Sequence, residues 1–474
     1  MIRFAWLAAL AVVVSGCPNG TVSGGGGGSA TGGGSATGGG TATGGGAAAG
    51  GGTATGGGAA TGGGGSATGG GSATGGGGSA TGGGTATGGG SATGGGTTDA
   101  GHFNFDGGPP DLSCLSDGGL SANETEIVMM AQDTWLELPN TDFSTFCHAH
   151  EDPSVNAVEG CDAVIIDWSG GIFDDGNRQM VLFGGGHGGY YGNEVYAFDP
   201  ATRAWKLLRA NTPLDAGQSP TEPMYDGTPV SRHTYDGLVY LSDARQMMVF
   251  GGATAPVGSS VDSVWFYDLS QNTWAQRNDG PGTGAGHFFL ATAYDPSSHT
   301  VYLRDEQGLW AYDAVADSWD HKVDYGYPPY YPLYTTYNYR RGVVVPPLHL
   351  FIAGGGSLST GDADVVAYDL TSMMDVTSTF TMTGNTSVVG TNGAGLDYDP
   401  RANALVAWAG GAPAVMDLAT RAWTNGSGTG APASPVMNGT YGRFRYVAYL
   451  NAFILVNDPG ENVYFYKLTP GCGP

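Results

Sequence analysis

Met247-Met248-Val249-Phe250-Gly251-Gly252, then Trp265-Phe266-Tyr267-Asp268, then Trp274: this stretch decides how the folded part of the chain is built. Two short runs of aromatic, aliphatic and β-branched residues, parted by glycines and stopped by Asp, read as neighbouring strands. The pattern recurs. Met180 to Phe183 with Gly184 and Gly185 precedes Tyr196 to Asp199 and Trp205, and Leu405 to Trp408 precedes Val415 to Asp417 and Trp423. Trp310 to Asp313 is followed by Trp319. A fifth unit, Val366 to Asp369, has Asp375 where Trp is expected, and a sixth, Tyr464 to Lys467, carries Lys in place of Asp. A further strand, such as Gly237 to Leu241 or Leu290 to Tyr294, comes before these pairs. Between positions 199 and 467 the unit recurs about every 54 residues, the mark of an array rather than of separate domains. With turn residues between the runs and no helical period, the folded part is all-β.

A strand ending in Gly-Gly, a Tyr/Phe-Asp strand and a Trp six residues on together resemble the kelch repeat. The resemblance covers about residues 134–468 and implies a kelch-type β-propeller of four-stranded blades. Six blades is the expected count, with seven as the alternative. The sixth unit runs out of chain after its third strand, while Thr134 to Leu138 stands as an orphan strand bearing Trp135. Set as the fourth strand of the last blade, it would join the chain ends and remove an exposed edge. The pattern is similar to the propeller domain of galactose oxidase-like proteins. Their copper site needs a Cys–Tyr cross-link, a second Tyr and two His; this chain has no tandem Tyr-His, so no copper centre is expected. No metal and no other cofactor is expected either.

Outside that array the composition changes abruptly. Residues 1–16 form a leader, with Arg3 and an apolar run from Phe4 to Val14 too short to span a bilayer, which takes about 20 residues. Val14-Ser15-Gly16-Cys17 resembles a bacterial lipobox, which implies lipidation at Cys17 and, with Pro18 following, the outer membrane. Residues 17–98 hold 41 of the 88 glycines, in repeats such as Ser-Ala-Thr-Gly-Gly-Gly, and are expected to be a flexible tether with a mean span of about 50 Å. An N-terminal segment over 99–133 leads into the head at 134–474. The net charge of −25 argues against nucleic acid and against electrostatic membrane docking, so membrane contact is expected through the lipid anchor only.

Four cysteines besides Cys17 suit two disulfides in an exported protein. Of the three connectivities, Cys147–Cys161 closes one loop, and Cys114–Cys472 staples the two ends of the array. A metal at Cys147, His148 and His150, placed on an extended segment, is the competing and weaker reading.

In a propeller the d–a and b–c connections emerge on one face. Here they are long and chemically rich: His187, Tyr190 and Tyr191 in the first b–c loop, and Arg232, His233, His287, Tyr334 and Arg443 just ahead of innermost strands. The opposite face carries tight Asp-Pro turns. Converging imidazoles, guanidiniums and phenols suit an anionic or hydroxyl-rich ligand. The leading expectation is therefore a tethered propeller that binds a glycan, peptide or protein partner. A polysaccharide lyase using His, Tyr and Arg is the alternative, and an envelope scaffold is the third; whether the chain is an enzyme stays open.

Overall fold

The computed structural model describes residues 111–473 apart from 116–118, 153–154, 156–157, 216–217, 281–289, 306–307, 325–338 and 356–364, together with short strands between 21 and 93. The leader with Cys17, and the candidates His287 and Tyr334, lie outside the described residues. The chain divides into two compact units, Met1–Ala100 and Gly101–Pro474.

In the first unit, triplets such as Thr41–Thr43 and Thr53–Thr55 pair in parallel register, and alternate triplets belong to two six-stranded sheets.

The second unit repeats one plan. Over 172–209, the strands Ile172–Asp174, Gln179–Leu182, Val195–Asp199 and Ala204–Arg209 pair antiparallel in chain order. The same order recurs over 238–276, 291–324, 341–375 and 395–425. A sixth sheet combines Phe444–Val447, Ala452–Leu455 and Val463–Lys467 with Thr134–Leu138, which pairs Thr134 with Lys467 and Leu138 with Val463. The first strand of each sheet packs against the first strand of the next, and Phe444–Val447 also packs against Ile172–Asp174. This all-β arrangement is compatible with a propeller-like fold.

The Asp-to-Trp spacing has a local cause. Asp199 Oδ1 accepts from the amides of Ala201 and Thr202, and Asp268, Asp313 and Asp369 close their turns the same way. Each turn ends on a residue with positive φ, Arg203, Asn272, Asp317 and Met373, which restores the strand. Trp then falls directly opposite the residue before Asp: Trp205 faces Phe198, Trp274 faces Tyr267 and Trp319 faces Tyr312. The same rings reach the preceding sheet, with Trp274 at 5.0 Å from Phe183 and Trp319 at 4.8 Å from Phe250. One residue thus fixes both the hairpin and the stacking of sheets, by burying a large ring against two neighbours.

The disulfides are Cys114–Cys472 and Cys147–Cys161, the pairing the sequence predicts. Three short helices, Ala122–Val128, Phe143–His148 and Ala163–Ile166, fall in the N-terminal segment and before the first sheet. The expectation of an extended segment at Cys147 to His150 is therefore corrected: Asp142 caps a helix there, accepting from the Thr145 amide. Among the described residues no helix is long and apolar enough to cross a membrane, and the two disulfides are compatible with export.

Candidate functional site

Among the described residues, those entering five of the innermost strands share an unusual backbone. Trp168, Tyr235, Tyr339 and Tyr441 all have positive φ, and Gly393 holds the equivalent place in the fifth sheet. That conformation turns a carbonyl towards the neighbouring sheet. The Tyr235 amide donates to the Trp168 carbonyl at 2.6 Å, the Gly393 amide to Tyr339 at 2.8 Å and the Tyr441 amide to Gly393 at 3.0 Å. The aromatic side chains gather as a consequence. Tyr235 lies 6.2 Å from Tyr339 and 6.1 Å from Tyr441 between ring centroids, and Trp168 lies 4.8 Å from His233.

His187 and His233 are brought together, with ring centroids 4.5 Å apart. His233 Nε2 is 3.8 Å from Asp167 Oδ2. Asp167 in turn raises the Glu159 carboxyl, which is lifted by burial first, then by the Asp167 charge and a hydrogen bond to it. Burial, followed by the nearby His233, holds the His187 imidazole below its usual range, against the opposing charge of Asp167. The glycines around His187 make this approach possible. A Cβ on Gly186, which has φ of 87°, would come within 2.5 Å of His233 Nε2 and 2.7 Å of Asp167 Oδ2. On loops beside the cluster, Val158, Val257 and Met437 are exposed apolar side chains. Val158 is tied to the cluster through its amide, which donates to the Gly189 carbonyl.

The other candidates are engaged elsewhere. Arg232 is fully buried, and its Nη2 makes 2.6 and 2.7 Å bonds to both oxygens of Glu222. Glu222 is held below its ordinary range despite burial, chiefly by that guanidinium. Arg443 is also fully buried and donates only to carbonyls, those of Ser169, Val456, Asn457 and Gly439. Burial pushes it down to about 9, against the opposing charges of Tyr441 and Asp458. It ties the last sheet to the loop ahead of the first. Tyr190 is buried in the core, its hydroxyl donating to Glu194 Oε1 at 2.6 Å, and Tyr191 packs partly buried beside Leu214, Met224 and Val230. Sequence reasoning passed over Trp168, Asp167, Glu159 and Tyr339. The available signal was the recurrence of an aromatic residue a few positions ahead of the innermost strand.

Near the Cys147–Cys161 disulfide, His148 and Asp162 group with the two sulfurs, but the disulfide engages both thiols. His148 instead bonds Glu151 and Asp162, while His150 stacks on Phe146 at 4.2 Å. The two imidazoles have different partners and share no site.

No protein-family model matches the chain, and no curated protein matches it.

Proposed function

We propose that the second unit is a closed, six-bladed propeller of the kelch type, sealed by Thr134–Leu138, and that it binds a neutral, hydroxyl-rich ligand, a glycan, on its d–a/b–c face. The observation that carries the binding reading is the Trp168–His233–His187 ring cluster beside Asp167 and Glu159. An aromatic ring offers a platform for the C–H face of a sugar, and carboxylates accept hydrogen bonds from vicinal hydroxyls. The commitment of Arg232 to Glu222, and of Arg443 to carbonyls, takes away two cations that a uronate would need. That weighs against the lyase alternative. Export and a lipid anchor at Cys17 complete the reading: a glycan-binding head held at the cell envelope.

A glycan array probed with the purified chain tests the ligand class. Neutral glycans should bind, and Trp168→Ala or His233→Ala should lower the signal at least tenfold with the melting temperature unchanged. A response confined to acidic polysaccharides, with an unsaturated ultraviolet-absorbing product, would establish the lyase instead. No response to any glycan would leave a scaffold.

A further inference from the structure

The loop that carries His187 is fixed at both ends and light between them. Ser231 Oγ donates to the Gly184 carbonyl at 3.0 Å, and beyond the tip Tyr190 is fully buried and donates to Glu194. Gly184, Gly185 and Gly186 have φ of 148°, 123° and 87°, a succession that suits glycine alone. From Gly186 to Gly189 the only side chain is that of His187, so its imidazole decides where the tip lies.

His187 is half-buried and meets three elements. The His233 ring, itself 4% exposed, lies 4.5 Å away between centroids. The hairpin over 253–260 presents Gly258, where a Cβ would stand 3.0 Å from two His187 ring carbons, and this hairpin holds no titratable residue. Asp167 favours a proton on His187 through its charge, yet its Oδ2 stands 3.8 Å from His233 Nε2. Among the described residues no carboxylate comes within ion-pair distance of His187. Glu159 reaches the tip at Gly189, where a Cβ would meet Glu159 Oε2 at 2.9 Å. Tyr235 faces His233 edge-on, 5.9 Å away.

A proton on His187 sets an imidazolium against a buried imidazole that already shares Asp167. Burial and the neighbouring His233 both oppose it, which is why the His187 imidazole sits below its usual range. Turning the tip out to water relieves both, and it takes Gly189 along. The Gly189 carbonyl accepts the amides of Val158 at 2.9 Å and Glu159 at 3.1 Å, so the segment bearing Glu159 then loses its anchor. We propose that His187 and His233 form an acid-operated latch: protonation of His187 swings residues 186–189 away from His233, frees Glu159 and releases the glycan. The latch rests on the glycan reading only for what it releases. The closed form is the one without the extra proton, so its advantage is full above the ordinary 6.5 and is lost as pH falls below that value.

Amide exchange of Val158 and Glu159 in the full chain, corrected for intrinsic rates, tests the latch without a glycan. Protection should fall at least tenfold between about pH 7.5 and about pH 5, with its midpoint where the His187 Cε1 proton titrates by nuclear magnetic resonance. In His187→Gln it should change by less than about twofold. Protection that stays constant, that is lost at a different pH from the His187 titration, or that falls equally in the variant would overturn the latch. The midpoint comparison decides the matter even if the variant does not fold. On the glycan array the wild-type signal should drop at least tenfold over the same range. A signal that persists at about pH 5 while protection is lost would also overturn the proposal. No array signal at either pH, with the exchange change intact, would remove the glycan reading and leave the latch standing.

Discussion

The Trp135 ring lies 4.9 Å from Tyr466, the residue directly opposite it in the last sheet, and 6.3 Å from Trp408 in the sheet before. Trp274 does the same within consecutive sequence, lying 4.8 Å from Tyr267 and 5.0 Å from Phe183. A strand more than 300 residues away therefore supplies the packing that the second and third sheets take from Trp274 and Trp319 of their own fourth strands. Its indole N–H donates to the Ser427 carbonyl, and Asp133 accepts from the Tyr466 hydroxyl, fixing the register. Trp135→Ala should cost about 3 kcal/mol, less than a fully buried Trp because the ring is only partly covered. Urea unfolding read by far-ultraviolet circular dichroism measures it, and a loss under about 0.5 kcal/mol would show that the N-terminal strand bears no weight.

The two disulfides should differ in their contribution. Cys114–Cys472 spans 358 residues and holds the chain ends beside the joining strand, whereas Cys147–Cys161 spans 14. In the chain-entropy picture the longer closure restrains the unfolded chain more, so replacing Cys114 and Cys472 by Ser should cost about 6 kcal/mol, and the shorter pair about 3 kcal/mol. Equilibrium unfolding of both double variants gives the order; the reverse order contradicts this assignment.

Gly393 takes the place that Trp168, Tyr235, Tyr339 and Tyr441 hold in four other sheets, with φ of 62°, and its carbonyl accepts from the amides of Thr440 and Tyr441. A Cβ there would sit 2.6 Å from the Gly439 Cα, a backbone atom that cannot swing away. Gly393→Ala should therefore destabilise by about 2 kcal/mol, combining backbone strain with a steric contact. Thermal unfolding reports the loss, and an unchanged melting temperature would mean that the two loops are not in contact.

Glu194 gives the fold a pH dependence of known sign. It is buried, and burial raises its carboxyl to about 7, with the charges of Glu151 and Asp152 adding to the effect and the Tyr190 hydroxyl opposing it. In the unfolded chain the same group ionises near its ordinary 4.5. The folded state thus holds the extra proton, so this contribution is full below about 4.5 and is lost as pH rises through about 7. Glu194→Gln should flatten that part of the stability profile, which denaturant midpoints between pH 4.5 and 8 would reveal. An unaltered slope would place the proton elsewhere.

What was legible in the sequence was what is local. Asp199 and Trp205 announce a hairpin because the turn, the positive-φ residue and the facing ring all lie within a few residues. The disulfide pairing was legible because Cys114 and Cys472 flank the repeats. The site was less so. Whether Arg232 meets a ligand depends on Glu222, in a loop whose course the repeat does not specify, and Arg443 is claimed by carbonyls of Ser169 and Val456 that only the packed sheets bring near. Trp168 escaped notice for the same reason. Its role comes from a backbone conformation shared with Tyr235, Tyr339 and Tyr441, and φ is not written in residue type.

Hydrogen exchange across Thr134–Leu138 tests the central claim, that this strand seals the sixth sheet, most directly. If it does, its ladder amides should exchange as slowly as those of Val463–Lys467, opening only with global unfolding. Exchange at the rate of an unstructured peptide in 134–138, with 463–467 still protected, would contradict a sealed ring.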